Sequence, residues 1–468
     1  MDKYLISKAG LIELLNRNDK NELEEIYNLC LEDKVKAHNH QEIVALLMII
    51  LKFKWEDFTK KHTNIDFYLK LKNFKTNNNV FDLYRLFRRI NFEIALTIIE
   101  ENDPIEEKVK VEFLEIYSTF LFMFFTHLKC IDICNCALVR DPKNSTINLY
   151  KASLLDLALI VKNNTTYSYG INLLRQEMLN NVDIKKVNFD KDISQRILTD
   201  NLISVNEPYL REKILGFYLI PENIMQTELG KKYWSTELDY YLKNVLFLNP
   251  LNNFGRYAQS SLEELQPIPL SEKNQKMFNS IIDDYKFCRR KIFEYDSLGT
   301  LSKREMCSTY CFLYSIFDKI AFLLKSVYII NIKEDIVDFT QGNLFDRKYK
   351  NSDKNFYEIA NPAIIPIYLE SVEGRSKNNL KGLDPGTFEL NEFRNVLEHK
   401  STCLIDESML KRNSKILIRK IRDLILETHI LLQSADTNIN SDDIVLCGTA
   451  YAKAIKAIIE SKKMSQST

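Results

Sequence analysis

Residues that break helices are scarce in this chain, and no other feature limits its fold so strongly. It holds 11 glycines and 10 prolines among 468 residues, well under the roughly 7% and 5% of average usage. Sandwiches and barrels need frequent turns, and turns draw on those two residues. A chain this poor in both is expected to be all-α, with long helices joined by short loops. The same scarcity leaves no glycine-rich loop to cradle nucleotide phosphates, and no other motif implies a cofactor.

The length allows about two to four domains and a large core. Lysine plus arginine balances aspartate plus glutamate at 64 each, for a formal net charge of zero. A globally basic nucleic-acid footprint is therefore excluded, and any such surface has to be local. Nine cysteines, scattered and odd in number, do not make a disulfide framework. Reduced thiols in a cytoplasmic protein are the expectation. The longest apolar runs, Ile43–Leu51 and Ile116–Phe125, are too short to span a bilayer. They are read as core helices, with no membrane association. Met1-Asp2-Lys3-Tyr4 has no targeting character.

From Lys8 to about Trp234, apolar residues recur at three- and four-residue spacing. Leu83, Leu86, Phe87 and Ile90, then Ala95, Ile98 and Ile99, show the pattern. Asp103-Pro104 and Asp141-Pro142 look like helix starts, with aspartate as cap and proline in the first turn. The stretch Ala137–Asn144, followed by Tyr150-Lys151-Ala152, resembles the junction between two tetratricopeptide (TPR) units. A small residue and an Asp-Pro turn suit tight helix stacking there. Residues 1–233 are read as an irregular TPR-like array for sensing or partner binding. An unrelated helical array is the alternative, because no clean 34-residue period is present.

A second region starts near Trp234. Trp234, Leu238, Tyr241, Leu242, Val245 and Leu246 mark an amphipathic helix that ends at Leu248-Asn249-Pro250-Leu251-Asn252. Helices are predicted over about 271–295 and 303–330, the second with an apolar face of Tyr310, Leu313, Ile316, Phe317, Ile320 and Leu324. Residues 331 to about 387 gather Gly342, Pro362, Pro366, Gly374, Gly382, Pro385 and Gly386, and a connection that long is usually functional. Another helix follows from Met409 to about Gln433. Residues 436–468 hold a polar break, a last helix over about 444–461 and a polar tail. The expected boundaries are 1–233, 234–435 and 436–468.

The hexapeptide Arg394-Asn395-Val396-Leu397-Glu398-His399 carries the chemistry. On a helix, Asn395 and His399 are neighbours one turn apart, and Arg394 reaches the same patch from its edge. Arginine forks onto phosphate, and histidine moves protons near neutral pH. The pair suits cleavage of a phosphodiester without a metal. The spacing alone would arise by chance in roughly one such chain in four, so its context decides its meaning. Three further segments supply that context: Tyr241–Asn252, then Asp284-Tyr285 with Arg289-Arg290 and Tyr295, then Tyr314–Ala321. With the hexapeptide they resemble the HEPN superfamily, in its larger TPR-fused members, over about residues 234–434.

That resemblance implies a helical bundle that pairs as a homodimer, so that two Arg-x4-His motifs share one cleft. It implies a metal-independent endoribonuclease acting on RNA, in which His399 is the general acid or base, Arg394 neutralises the phosphorane and Asn395 orients the phosphate or the histidine. It also implies a regulated stress or antiphage effector. Some HEPN domains serve instead as binding or assembly modules, and a non-catalytic scaffold is the alternative. Asp318 is a candidate partner for Arg394; Lys400 is a candidate phosphate contact but reads better as a solvated lysine. Some HEPN toxins carry a regulatory tyrosine two residues after the histidine; Ser401 stands there in this chain.

Other groups read as structure. His127, Cys130 and Cys134 share a helix face beside Cys136 and have the spacing of zinc ligands. No second Cys/His cluster accompanies them, so buried packing is the better reading and no metal is assigned. Cys307 and Cys311 are read as core, His38 and His40 as solvated, and His429 as structural. The lysines around Lys3–Lys8 and Lys60-Lys61 read as ordinary exposed faces.

Overall fold

The computed structural model describes residues 19–31, 107–123, 126–155, 165–187, 191–200, 236–244, 246–248, 267–328, 385–399 and 405–433, with single positions and short pieces elsewhere. These residues are almost entirely helical, as the scarcity of breakers predicts. The exception is near the N-terminus. Strand β1 (Tyr4–Ile6) pairs in parallel with β2 (Val35–Ala37), and Leu5 faces Lys36. A parallel pair needs a crossover, and helix α1 (Lys20–Leu31) lies between the two strands. Asp19 caps α1 by accepting from the Asn21 amide at 2.8 Å. Three-residue strands paired across 31 positions carry no alternating pattern, so periodicity did not reveal them.

Among the described residues the next helices are α2 (Glu107–Met123), α3 (His127–Arg140), α4 (Ser145–Leu154), α5 (Thr165–Asn180) and α6 (Lys191–Asp200). Sequential neighbours pack from α2 through α5, and α4 is the central member. Nine of its ten residues are buried. Phe122 stacks on Tyr150 at 4.5 Å, and Phe189 meets both rings edge-on. The Asp141-Pro142 expectation needs correction. Asp141 closes α3, and its Oδ1 accepts from the Lys143 amide. Asn144 is the cap of α4, accepting from the Ile147 amide at 3.0 Å. The dipeptide is thus the turn and the helix begins three residues later, because an asparagine was available to satisfy the first free amides.

The second group is α7 (Thr236–Lys243), α8 (Glu272–Phe293), α9 (Lys303–Tyr314), α10 (Ile316–Val327), α11 (Pro385–His399) and α12 (Glu407–Gln433). Helix α8 buries Phe278, Ile281, Tyr285, Cys288 and Ile292, a stripe spaced by threes and fours. It ends in one π-helical turn (Glu294–Leu298) capped by Gly299 at φ 61°, a left-handed conformation that glycine takes without strain. Ser302 and Glu305 form a reciprocal capping box that starts α9. The helix predicted over 303–330 divides at Ser315 into α9 and α10. Helix α8 packs against α9, α10 and α12, while α9 packs against α11 and α12. The stretch Lys303–Val327 is long and apolar enough to cross a membrane. Its Leu313, Ile316, Phe317, Ile320 and Leu324 are fully buried in this bundle, which accounts for that hydropathy.

A polar clamp ties the lead-in segment to the bundle. The Leu246 carbonyl accepts from Tyr285 Oη at 2.6 Å and from an Arg289 terminal nitrogen at 3.0 Å. The Phe247 carbonyl accepts from Arg422 Nε at 2.8 Å, and the Asn244 carbonyl from Arg419 Nε at 2.9 Å. Arg289 also lies 4.0 Å over the Tyr241 ring. Carbonyls outside a helix ladder need partners when buried, and these arginines supply them. Arg422 is 1% exposed and pairs with Asp423 at 2.6 Å. Asp132 of α3 lies within range of the charges of Arg422 and Arg419 on α12. Burial raises the Asp132 pKa and those arginines oppose the rise.

Candidate active site

Helix α11 is fixed by its apolar stripe. Leu390, Phe393 and Leu397 are 2%, 4% and 8% exposed and share one face. Tyr310 of α9 donates from its hydroxyl to the Leu390 carbonyl at 3.0 Å and meets Phe393 edge-on at 5.2 Å. This packing turns the rest of the hexapeptide outward. Arg394 and Asn395 are half-buried, and His399 is exposed at the helix end.

Arg394 sits in a cradle. Its guanidinium lies 5.2 Å over the ring of Tyr314, the fully buried last residue of α9. Its Nε donates to Glu398 Oε1 at 2.9 Å, with each side chain 33% exposed. Asp318, in the first turn of α10, adds a second negative charge nearby. Burial works against the guanidinium's charge. The Glu398 hydrogen bond and charge outweigh it, with Tyr314 and Asp318 adding to them, and the net effect raises the pKa of Arg394. The same surroundings push the Cys311 thiol up to about 11, first through burial and then through the Glu398 charge.

The structure thus places Arg394, Asn395 and His399 on one helix but does not bond them to each other. Among the described residues, no hydrogen bond links Arg394 to Asn395 or to His399. Five helical positions turn Arg394 about 140° away from His399, so Arg394 leans toward Glu398 and Tyr314. The candidate pairing of Asp318 with Arg394 is present as a charge interaction. Glu398 and Tyr314 are the two site residues that the sequence reading missed. The first was legible, since an acid four residues after an arginine shares its face. The second was not, because it comes from another helix.

The remaining candidates lie apart from this site. His127, Cys130 and Cys134 are buried in the array, where Cys130 donates to the Ser118 carbonyl at 3.4 Å. Among the described residues no cluster of three His, Cys, Asp or Glu could hold a metal ion. His429 is fully buried, 5.8 Å from the Phe278 ring, and Cys307 is 4% exposed on α9. His38, His40, Lys60, Lys61, Lys400, Ser401, Asp103-Pro104 and residues 436–468 lie outside the described residues, as does most of 331–387.

Residues 300–437 match the family model described as LA2681-like HEPN. This region is a HEPN domain. The match takes in α9 to α12 and with them the whole hexapeptide. No curated protein and no solved structure matches the chain. Helix α8 and the clamped segment precede the match yet share the core of the HEPN domain. Several residues of the segments that carry the HEPN resemblance hold the bundle together, while Tyr314 and Asp318 of the third serve the Arg394 cradle. Tyr285 and Arg289 hold the Leu246 carbonyl, and Lys319 bonds Asp284 at 2.6 Å. Tyr295 lies under the Lys411 ammonium at 5.4 Å.

Proposed function

We propose that this protein is a metal-independent endoribonuclease, acting on RNA through its HEPN domain. The observation that carries the reading is the presentation of the motif. His399 is exposed rather than buried against apolar side chains, and Arg394 stays a third exposed on the same helix. In the reaction, a ribose 2′-oxygen bonds to the adjacent phosphorus and the bond from phosphorus to the 5′-oxygen breaks. One histidine takes the 2′ proton and a second protonates the leaving 5′-oxygen. Arg394 stabilises the charge on the phosphorane, and Asn395 orients the phosphate or the histidine. The products are a 2′,3′-cyclic phosphate and a 5′-hydroxyl. DNA lacks the 2′-hydroxyl and is not a substrate.

One motif per chain makes a homodimer the simplest source of two histidines. The TPR-like array at residues 1–233 is proposed to sense a protein partner, and the charge interaction of its Asp132 with Arg419 and Arg422 links it to α12. A regulated cytoplasmic effector of stress or phage defence fits this organisation. A non-catalytic scaffold is the second reading, and the pairing of Arg394 with a carboxylate favours it. The test incubates purified protein with total RNA in the presence of chelator. Cleavage by the wild type and none by His399→Ala supports the nuclease. Intact RNA with a folded, dimeric wild type supports the scaffold.

A further inference from the structure

Glu398 occupies a hydrogen-bonding edge of Arg394 that a phosphate could use. Its carboxylate holds Arg394 Nε at 2.9 Å, and Asp318 places a second negative charge within range of the same guanidinium. One cation facing two anions leaves the cradle with a net charge of −1. Tyr314 covers one face of the guanidinium and Glu398 takes up its Nε, so a phosphodiester that forks onto Arg394 through Nε has to displace the carboxylate. Both partners of the ion pair are one-third exposed, so the pair is open to exchange with a solvent-borne anion.

We infer that Glu398 is an internal competitor for the phosphate, a positioning residue that parks Arg394 against Tyr314 and must release it when RNA binds. The ligand class rests on the RNA-cleaving reading; the competition itself needs only a phosphodiester. Substrate affinity in this site is then set by an exchange of one anion for another at Arg394. The residue neighbouring His399 in sequence thereby controls how readily the phosphate settles beside the histidine.

The experiment uses the full chain and two probes: a single-stranded RNA and the DNA strand of the same sequence, which binds through phosphate but offers no 2′-hydroxyl. Fluorescence anisotropy is read for wild type, Glu398→Gln, Arg394→Ala, the double variant Arg394→Ala/Glu398→Gln, and Glu392→Gln. Glu392 is an exposed carboxylate on the same helix and controls for a general change of charge. Glu398→Gln keeps an acceptor for Arg394 Nε and removes the charge. The expected result is roughly two- to fivefold tighter binding of both strands, the range of a partly exposed ion pair. The gain should vanish in the Arg394→Ala background and be absent in Glu392→Gln. In steady-state cleavage, KM should fall by the same factor with little change in kcat. Equal or weaker binding by Glu398→Gln overturns the inference, as does a gain that survives loss of Arg394. Absence of binding in every variant overturns it too. If the strands bind as expected but RNA stays whole, the competition stands and the nuclease reading alone falls.

Discussion

The carbonyl of Leu246 offers a sharp test of how this bundle is held. It accepts two hydrogen bonds, from Tyr285 at 2.6 Å and from Arg289 at 3.0 Å, inside a residue that is 1% exposed. Tyr285→Phe removes one donor and leaves the other, so the carbonyl stays satisfied and the cost should be about 1 kcal/mol. Arg289→Met removes a charge-assisted bond worth about 1.5–3 kcal/mol and a stacking contact over Tyr241 worth about 1 kcal/mol. Relief of guanidinium desolvation returns part of that, leaving about 1–3 kcal/mol. The double variant strands a buried carbonyl, which adds about 1–3 kcal/mol beyond the sum. Native-state hydrogen exchange is the suitable assay, since a chain of this size does not unfold in one step. Protection of the Leu246 amide, which donates to the Tyr241 carbonyl at 2.9 Å, should fall about fivefold in Tyr285→Phe, and in the double variant by at least about fivefold more than the two single effects combined. Additivity within about 0.5 kcal/mol would refute the shared-acceptor account.

At the candidate site, Arg394→Lys should cleave RNA about tenfold or more slowly than wild type, because lysine keeps the charge and loses the fork onto phosphate. Arg394→Ala should cost about a hundredfold or more in kcat, and near-normal rates in either variant would argue against phosphorane stabilisation. Mixing Arg394→Ala and His399→Ala chains tests the shared cleft: two inactive proteins should regain measurable activity as heterodimers if each half-site draws on both subunits. Acid stability should report on His127, 3% exposed and with its pKa lowered to about 3 by burial, against a backbone hydrogen bond that raises it. The unfolded chain takes up this proton from about pH 6.5 downward while the folded chain resists it to about pH 3, so its contribution is complete above 6.5 and is lost as pH falls through that window. Between pH 7.5 and 5, wild type should therefore lose about 2 kcal/mol more than His127→Leu, measured by denaturant unfolding of the array. Parallel curves for the two proteins would show that His127 does not titrate in this way.

Local signals were the ones that could be read in advance. The stripe on α8 and the long α12 follow from apolar spacing, which needs no knowledge of distant partners. The helix bearing Arg394, Asn395 and His399 was expected from the HEPN resemblance. The start of α4 was misplaced by three residues because two capping side chains, Asp141 and Asn144, lay close together, and hydrogen bonding chose the second. The β1–β2 pair escaped because its partners are 31 positions apart. At the site, Glu398 was visible as an i+4 neighbour, whereas Tyr314 belongs to a helix about 80 residues away and its place beneath Arg394 depends on how α9 and α11 cross.

Scarcity of helix breakers and three-to-four spacing determined an all-α chain, and the hexapeptide with its companion segments pointed to a HEPN domain. Both are properties of short windows, where backbone preference and side-chain order act locally. Tertiary packing alone decided that Tyr285, Arg289, Arg419 and Arg422 would meet three carbonyls of one segment, and that Asp132 would come within range of the charges of Arg419 and Arg422. It also decided that Arg394 would lean away from His399, toward a ring and two carboxylates. Buried polar groups must be satisfied wherever the fold happens to bring them, and no local pattern specifies that meeting.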